Sequence, residues 1–209
     1  MTSKADDAYR IIKDKIVTLQ LKPSSDISED ELIKELNISR TPIREAIQKL
    51  AKDRFVIVYP RKGTVVSEIS LDLINSIYEV RLLNEPHMAR NACMRVSDEW
   101  LRMLKKGFLD FKGKEDLLAY IDLDYELHKG LTSYTNNIFL KNMFSVVNDH
   151  NHRIRIQTSK RNRDYQRSVQ EHLLILEAME RRDEDAVEQA VRDHVLTAKQ
   201  EAFEYYYSL

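Results

Sequence analysis

Four glycines and four prolines in 209 residues leave this chain too few turn formers for a sandwich or barrel of short strands, which needs a break about every 8–12 residues. Charged residues at 32% and hydrophobic residues at 43% suit amphipathic helices instead. The expected fold is therefore mainly α, and the length fits one large domain or two small ones. Cys93 is the single cysteine, so neither an internal disulfide nor a thiol pair for zinc is available, and any metal must use nitrogen and oxygen ligands. The N-terminal MTSKADDAYR lacks the apolar stretch of a signal peptide, and no run of 18 or more apolar residues follows. A cytoplasmic protein with no membrane partner is expected.

A formal net charge of −1 argues against a nucleic-acid partner only until it is divided along the chain. Over 38–66, Arg40, Arg44, Lys49, Lys52, Arg54, Arg61 and Lys62 face only Glu45 and Asp53. Such a local basic excess suits phosphates, although a solvated surface that happens to be basic has the same composition.

Apolar residues at Ala8, Ile11, Ile12, Ile16 and Leu19 recur at helical spacing until Lys22-Pro23-Ser24-Ser25 stops them. Ser28 followed by Glu31 reads as a capping box that opens a short helix through Leu32, Ile33 and Leu36, closed by Asn37. A third helix begins near Thr41-Pro42 and runs through Ile43, Ala46, Ile47 and Leu50. Phe55-Val56-Ile57-Val58-Tyr59, a break at Pro60-Arg61-Lys62-Gly63, and Thr64-Val65-Val66 read as a β-hairpin. This order is that of a winged helix-turn-helix, spanning 1–70. Its third helix would enter the major groove with Ser39, Arg40, Thr41 and Arg44 leading. Arg40 and Arg44 are the natural base readers, Ser39 and Thr41 have short hydroxyls for phosphates or thymine methyls, and Arg61, Lys62 and Gly63 ride on the wing. The alternative for Arg40 and Arg44 is an exposed helix face held by pairing of the Glu45 kind.

Leu36-Asn37-Ile38-Ser39-Arg40-Thr41-Pro42-Ile43-Arg44-Glu45-Ala46-Ile47 closely resembles the recognition segment LxVSRTPVREAL of GntR-type bacterial transcription regulators. Leu21-Lys22-Pro23, Ser28-Glu29 with Leu32, and Gly63 also look like that family. Two positions depart from it: Ser24 stands where the family commonly has Gly after the Pro, and Arg54 where it has Gly before the wing.

From Leu71 onward, apolar residues recur at three and four, and breaks near Val96-Ser97-Asp98, Lys112-Gly113-Lys114, Tyr134 to Asn137, Lys160 to Asp164, and Arg182-Asp183 divide 71–209 into six or seven helices. Asp124 and His128, four apart, share one helix face. His172 lies about nine residues before the turn at Asp183 and His194 about eleven after it, so antiparallel helices bring them to within about one turn. Three imidazoles and one carboxylate can converge in the bundle, a donor set for zinc first, or nickel, manganese or iron. Taken singly, each His is equally an ordinary surface or core residue.

The second part resembles the FCD effector-binding domain carried by one large GntR subgroup. The resemblance implies metal ligands at Asp124 and His128, at His172 in Glu171-His172, and at His194; His87, His150 and His152 do not match. Glu79-Val80-Arg81-Leu82-Leu83-Asn84-Glu85 looks like the subgroup's R-x-x-L-E, with Asn84 for the usual Leu. It implies that Arg81 points into the cavity beside the metal, where a guanidinium suits a carboxylate; the alternative is a salt bridge to Glu79 or Glu85. Asn148 and Arg153 are assigned to the same cavity. The expected protein is not an enzyme but a homodimeric regulator that binds double-stranded operator DNA, its affinity modulated by a small organic acid beside a divalent metal. A metalloenzyme or a metal-only sensor using the same site is the competing reading. Against the enzyme, four protein ligands leave few open positions, and Glu126 lies on another helical face from the ligands.

Overall fold

A computed structural model describes residues 3–111, 116–159 and 165–207; the breaks expected at Lys112-Gly113-Lys114 and Lys160 to Asp164 lie outside the described residues. The chain divides into two compact units, Met1–Ile69 and Ser70–Leu209.

The first unit runs α1 (Lys4–Val17), β1 (Asp26–Ile27), α2 (Glu29–Leu36), α3 (Arg40–Lys52), β2 (Val56–Tyr59) and β3 (Gly63–Val66). Ala8, Ile12 and Ile16 of α1 and Ile43, Ala46, Ile47 and Leu50 of α3 form its core, each large aliphatic contributing about 1.5–3 kcal/mol by leaving water. Ser3 and Asp6 cap α1 reciprocally. At α2 only half of the expected capping box forms: the Ser28 hydroxyl accepts from the Glu31 N–H, and the Glu31 side chain does not return. Asn37 closes α2 in the left-handed region at φ 52°. The hairpin forms with Tyr59 opposite Gly63 and Val56 opposite Val66. A further strand, β1, pairs antiparallel with β3 and gives the order β1-β3-β2; two residues have no readable period, so the sequence did not announce it.

Helix α3 ends in a Schellman motif, with Phe55 N–H donating to the Leu50 carbonyl at 2.9 Å and Arg54 N–H to that of Ala51 at 3.1 Å. Arg54 sits at φ 65°, and Ser24 also at 65°. Both positions where the chain departs from the family's glycine are thus left-handed, the conformation glycine adopts without penalty. Arg54→Gly is expected to stabilise the protein by about 0.5–1 kcal/mol once the greater freedom of unfolded glycine is deducted, measured as a higher urea midpoint by circular dichroism.

The second unit contains, among the described residues, six helices: α4 (Leu71–Cys93), α5 (Asp98–Phe111), α6 (Leu117–Ser133), α7 (Ile138–Ser159), α8 (Gln166–Glu180) and α9 (Glu184–Tyr207). The most extensive packing is α4 on α9, followed by α8 on α9. The α8–α9 turn is another Schellman motif with a left-handed arginine, Arg182 at φ 56°. Its guanidinium donates to the carbonyls of Cys93 at 2.7 Å and Val96 at 2.9 Å and pairs with Asp98, bonds that a glycine cannot supply. Asp183 then caps α9 through the Ala186 N–H at 3.1 Å. That fixed turn sets the heights of His172 and His194. Among the described residues no helix is long and apolar enough to cross a membrane.

Candidate nucleic-acid interface and metal centre

Helix α3 buries one face and exposes the other: Arg40, Thr41, Arg44, Glu45, Gln48 and Lys49 are all exposed. Ser39 occupies its N-cap but makes no side-chain cap bond, leaving the hydroxyl available. Pairing of Arg40 and Arg44 does occur, though not with Glu45. Arg40 Nη2 lies 2.5 Å from Asp30 Oδ1 and Arg44 Nε 2.9 Å from Glu29 Oε2, both carboxylates in the first turn of α2. Arg61 and Lys62 are exposed at the hairpin turn. That turn is closed by Lys62 N–H to the Tyr59 carbonyl at 3.1 Å. Arg61 is left-handed at φ 63° behind Pro60, a type II arrangement, and Gly63 stands at φ 121°.

In the second unit Asp124 and His128 of α6, His172 of α8 and His194 of α9 converge, one donor atom of each within 4.8 Å of every other. All four are buried. The ring centroids of His172 and His194 are 4.4 Å apart, and those of His128 and His194 5.1 Å. His128 Nε2 and His194 Nε2 are 3.2 Å apart, and His172 Nε2 and Asp124 Oδ1 3.4 Å. Tetrahedral donors at Zn–N bonds of 2.0–2.1 Å stand about 3.3 Å from one another. Neither nitrogen of His172, nor Asp124 Oδ1, has a hydrogen-bond partner. Buried polar atoms left this way are costly unless something binds them, so the residues fit a divalent cation.

The surroundings orient these donors. A carboxylate only accepts, so Glu85 against His128 Nδ1 and Glu171 Oε2 at 3.0 Å from His194 Nδ1 put the proton on each Nδ1 and leave Nε2 as the lone pair. Burial first, then the neighbouring imidazoles, hold His172 and His194 well below the usual histidine range, which keeps both neutral. Burial alone would raise the Asp124 carboxyl, but the Arg155 guanidinium, first among its charged neighbours, draws it down.

Arg81, also buried, donates from Nε to Glu85 Oε2 at 2.8 Å and from Nη1 to Asn151 Oδ1 at 2.8 Å; its Nη2 lies 3.4 Å from His128 Nε2. It thus makes the salt bridge to Glu85 and also reaches the cluster. Asn148 is buried and donates to Thr132 Oγ1 at 3.0 Å, with its own Oδ1 unpartnered. Arg153 is not brought to the four ligands. Asn148, Asn151 and Arg155 follow one another at helical spacing on a single stripe of α7, and Arg153 is turned away from it. Burial lowers the Arg153 guanidinium to about 10, offset in part by Tyr206. Arg155 takes the place beside the cluster instead, with Nη2 3.8 Å from Asp124 Oδ1. Glu85, Asn151 and Arg155 were not singled out as site residues from the sequence; the available signals were the i, i+4 spacing of Arg81 and Glu85 and the seven-residue spacing of Asn148 and Arg155. His87 is exposed, whereas His150 and His152 are buried away from the ligand set.

A winged helix followed in the chain by a helical unit with a buried ligand cluster defines a two-part DNA-binding regulator. Residues 4–66 match the model of the bacterial regulatory proteins of the gntR family, and residues 76–197 match the FCD domain. The chain belongs to the GntR family, in the group that carries an FCD domain, and it is a DNA-binding transcription regulator rather than an enzyme. It is 27% identical over 194 residues to the HTH-type transcriptional repressor RspR of Escherichia coli (strain K12), covering 90% of this chain and 83% of that one. It is 28% identical over 191 residues to the HTH-type regulator YdhC of Bacillus subtilis (strain 168), covering 89% and 85%. Among solved structures it resembles E. coli McbR/YncC with a TM-score of 0.85 at 17% identity, over 99% of this chain and 100% of that one. At that identity the likeness speaks for the fold alone. It also resembles in fold the metal-free FCD domain of TM0439, with a TM-score of 0.59 at 19% identity, over 68% of this chain and 100% of that one.

Proposed function

We propose that the protein is a homodimer that binds a pseudo-palindromic operator, and that a small carboxylic acid bound beside a divalent metal in the second unit changes its DNA affinity. Ser39, Arg40, Thr41 and Arg44 face the major groove, and Arg61, Lys62 and Gly63 of the wing touch backbone or minor groove. Asp124, His128, His172 and His194 would hold the ion, zinc first by donor type, with nickel, manganese or iron alternatives. When bound, such an ion supplies a Lewis-acid centre for an anionic ligand. Arg81 sits beside that space, and its 3.4 Å approach to His128 Nε2 is the observation that carries the effector reading, because an anion placed there meets a guanidinium. Asn148 and Arg155 line the α7 side; Arg153, assigned to the cavity from sequence, is not part of this reading. A coupling of about 1–3 kcal/mol between the effector site and DNA suffices for a 5- to 150-fold change in affinity.

The test uses Arg81→Lys, which keeps the charge beside Glu85 and loses the planar fork. Zinc content is expected to stay near that of the parent, while the response of DNA binding to a panel of small carboxylates is lost. A variant that responds like the parent would remove Arg81 from the effector site, and metal without any acid response in the parent would favour a metal-only sensor.

A further inference from the structure

The geometry points to Glu29 as the residue that positions Arg44 for reading a guanine, an inference that rests on the proposed placement of α3 in the major groove. A guanidinium has a side edge, containing Nε, and an end edge made of its two terminal nitrogens. Glu29 Oε2 accepts from Arg44 Nε at 2.9 Å. The side edge is therefore occupied, and the end edge, the fork that matches O6 and N7 of guanine, is left for a ligand. Arg44 also lines an open concavity of about 620 Å³ on the outer face of α3, together with Thr41, Glu45, Gln48 and Lys49. The backbone that carries Glu29 is set, since it is the first residue of α2 after the Ser28 cap, whose hydroxyl accepts the Glu31 N–H at 3.2 Å.

The neighbouring pair is built differently. Asp30 Oδ1 accepts from Arg40 Nη2 at 2.5 Å, a terminal nitrogen that the end edge needs, so this carboxylate competes with DNA for it. An arginine without a partner satisfies a phosphate as readily as a base, which adds affinity and no specificity. Glu29 holds Arg44 in the base-reading direction; Asp30 restrains Arg40. The two adjacent carboxylates thus act on the recognition arginines in opposite senses, one promoting discrimination and the other lowering affinity.

The experiment uses the full-length protein and a duplex it enriches from a random library, with each guanine of the enriched site then replaced by adenine. For the parent, one guanine per half-site is expected to carry a penalty of about 5- to 150-fold on replacement. Arg44→Ala is expected to abolish that penalty. Glu29→Ala is expected to reduce it at least threefold while binding of unrelated duplex is kept or rises, since a carboxylate beside the recognition arginines is lost, and to have no further effect on the penalty when Arg44 is already alanine. Glu29→Gln, which keeps an acceptor and the helical start, restores part of the discrimination, and Asp30→Asn raises affinity for all duplexes alike. If Arg44→Ala removes the penalty but Glu29→Ala and Glu29→Gln leave it at the parent value, the positioning role is overturned while base reading stands. If no guanine carries a penalty, or Arg44→Ala leaves it intact, both readings fall.

Discussion

Arg81→Met is expected to lower the free energy of unfolding by about 3–5 kcal/mol, because it leaves a carboxylate inside the helical unit with its main counter-charge removed. Arg81 is 1% exposed and Glu85 0%. Burial alone would raise the Glu85 carboxyl, but Arg81 first and His128 second outweigh it and hold it well below the usual carboxylate range. Without Arg81 the remedy is to protonate Glu85, which weakens the acceptor that orients His128. The double variant Arg81→Met/Glu85→Gln, which removes both charges, is expected to recover most of the loss. Urea unfolding of the parent, both single variants and the double variant measures the coupling; additive single effects would show that the pair contributes nothing as a pair. The result also bears on any effector experiment, since a truncated Arg81 reports stability and ligand binding together.

Zinc at about a hundred times its Kd is expected to stabilise the metal-free protein by about 2.7 kcal/mol, which for a chain of this size raises Tm by about 5–10 °C. Asp124→Asn keeps the shape of the ligand and removes its charge, and it should lose most of that rise along with bound metal. His172→Ala should lose all of it. This second variant also opens a hole against the Phe108 ring, whose centroid is 4.7 Å from that of the imidazole, so its metal-free stability is expected to fall too. The difference between zinc-treated and untreated samples of each variant is therefore the informative quantity. An unchanged shift in both variants would mean that zinc binds elsewhere.

Much of this molecule can be read in its residues, and the illegible parts share a cause. The stripes of α1 and α3, the Asn37 stop, the hairpin and the turn at Asp183 all rest on local period or cap chemistry, which one segment carries by itself. The meeting of His172 with His194 was legible because one short turn joins their helices. Strand β1 was hidden, since two residues acquire their identity only from β3. The same holds for the ion pairs of α3: Arg44 to Glu29 spans fifteen residues and Arg40 to Asp30 ten, and no periodicity selects those partners over Glu45. Arg153, five residues from Asn148, cannot share its stripe of α7 while Arg155, seven away, can; which stripe faces the ligands is set by α6 and α8, and no local pattern carries that. The departures at Ser24 and Arg54 could be seen, but their meaning required the backbone dihedrals.

In the order β1-β3-β2 the strand β2 lies at an edge, and it carries Ile57, Val58 and Tyr59 at 46%, 37% and 46% exposure. An uncovered edge with an apolar, β-branched run is a template on which a second chain can add itself by strand pairing. Arg54 on one side and Arg61 and Lys62 on the other bracket the run, and flanking charges of this kind act as gatekeepers against self-association. Arg61 and Lys62, proposed above to touch DNA, thus also serve the DNA-free protein. Neutralising Arg61 and Lys62 to probe phosphate contacts would at the same time strip that protection, and a loss of binding in such a variant has to be separated from aggregation at the wing.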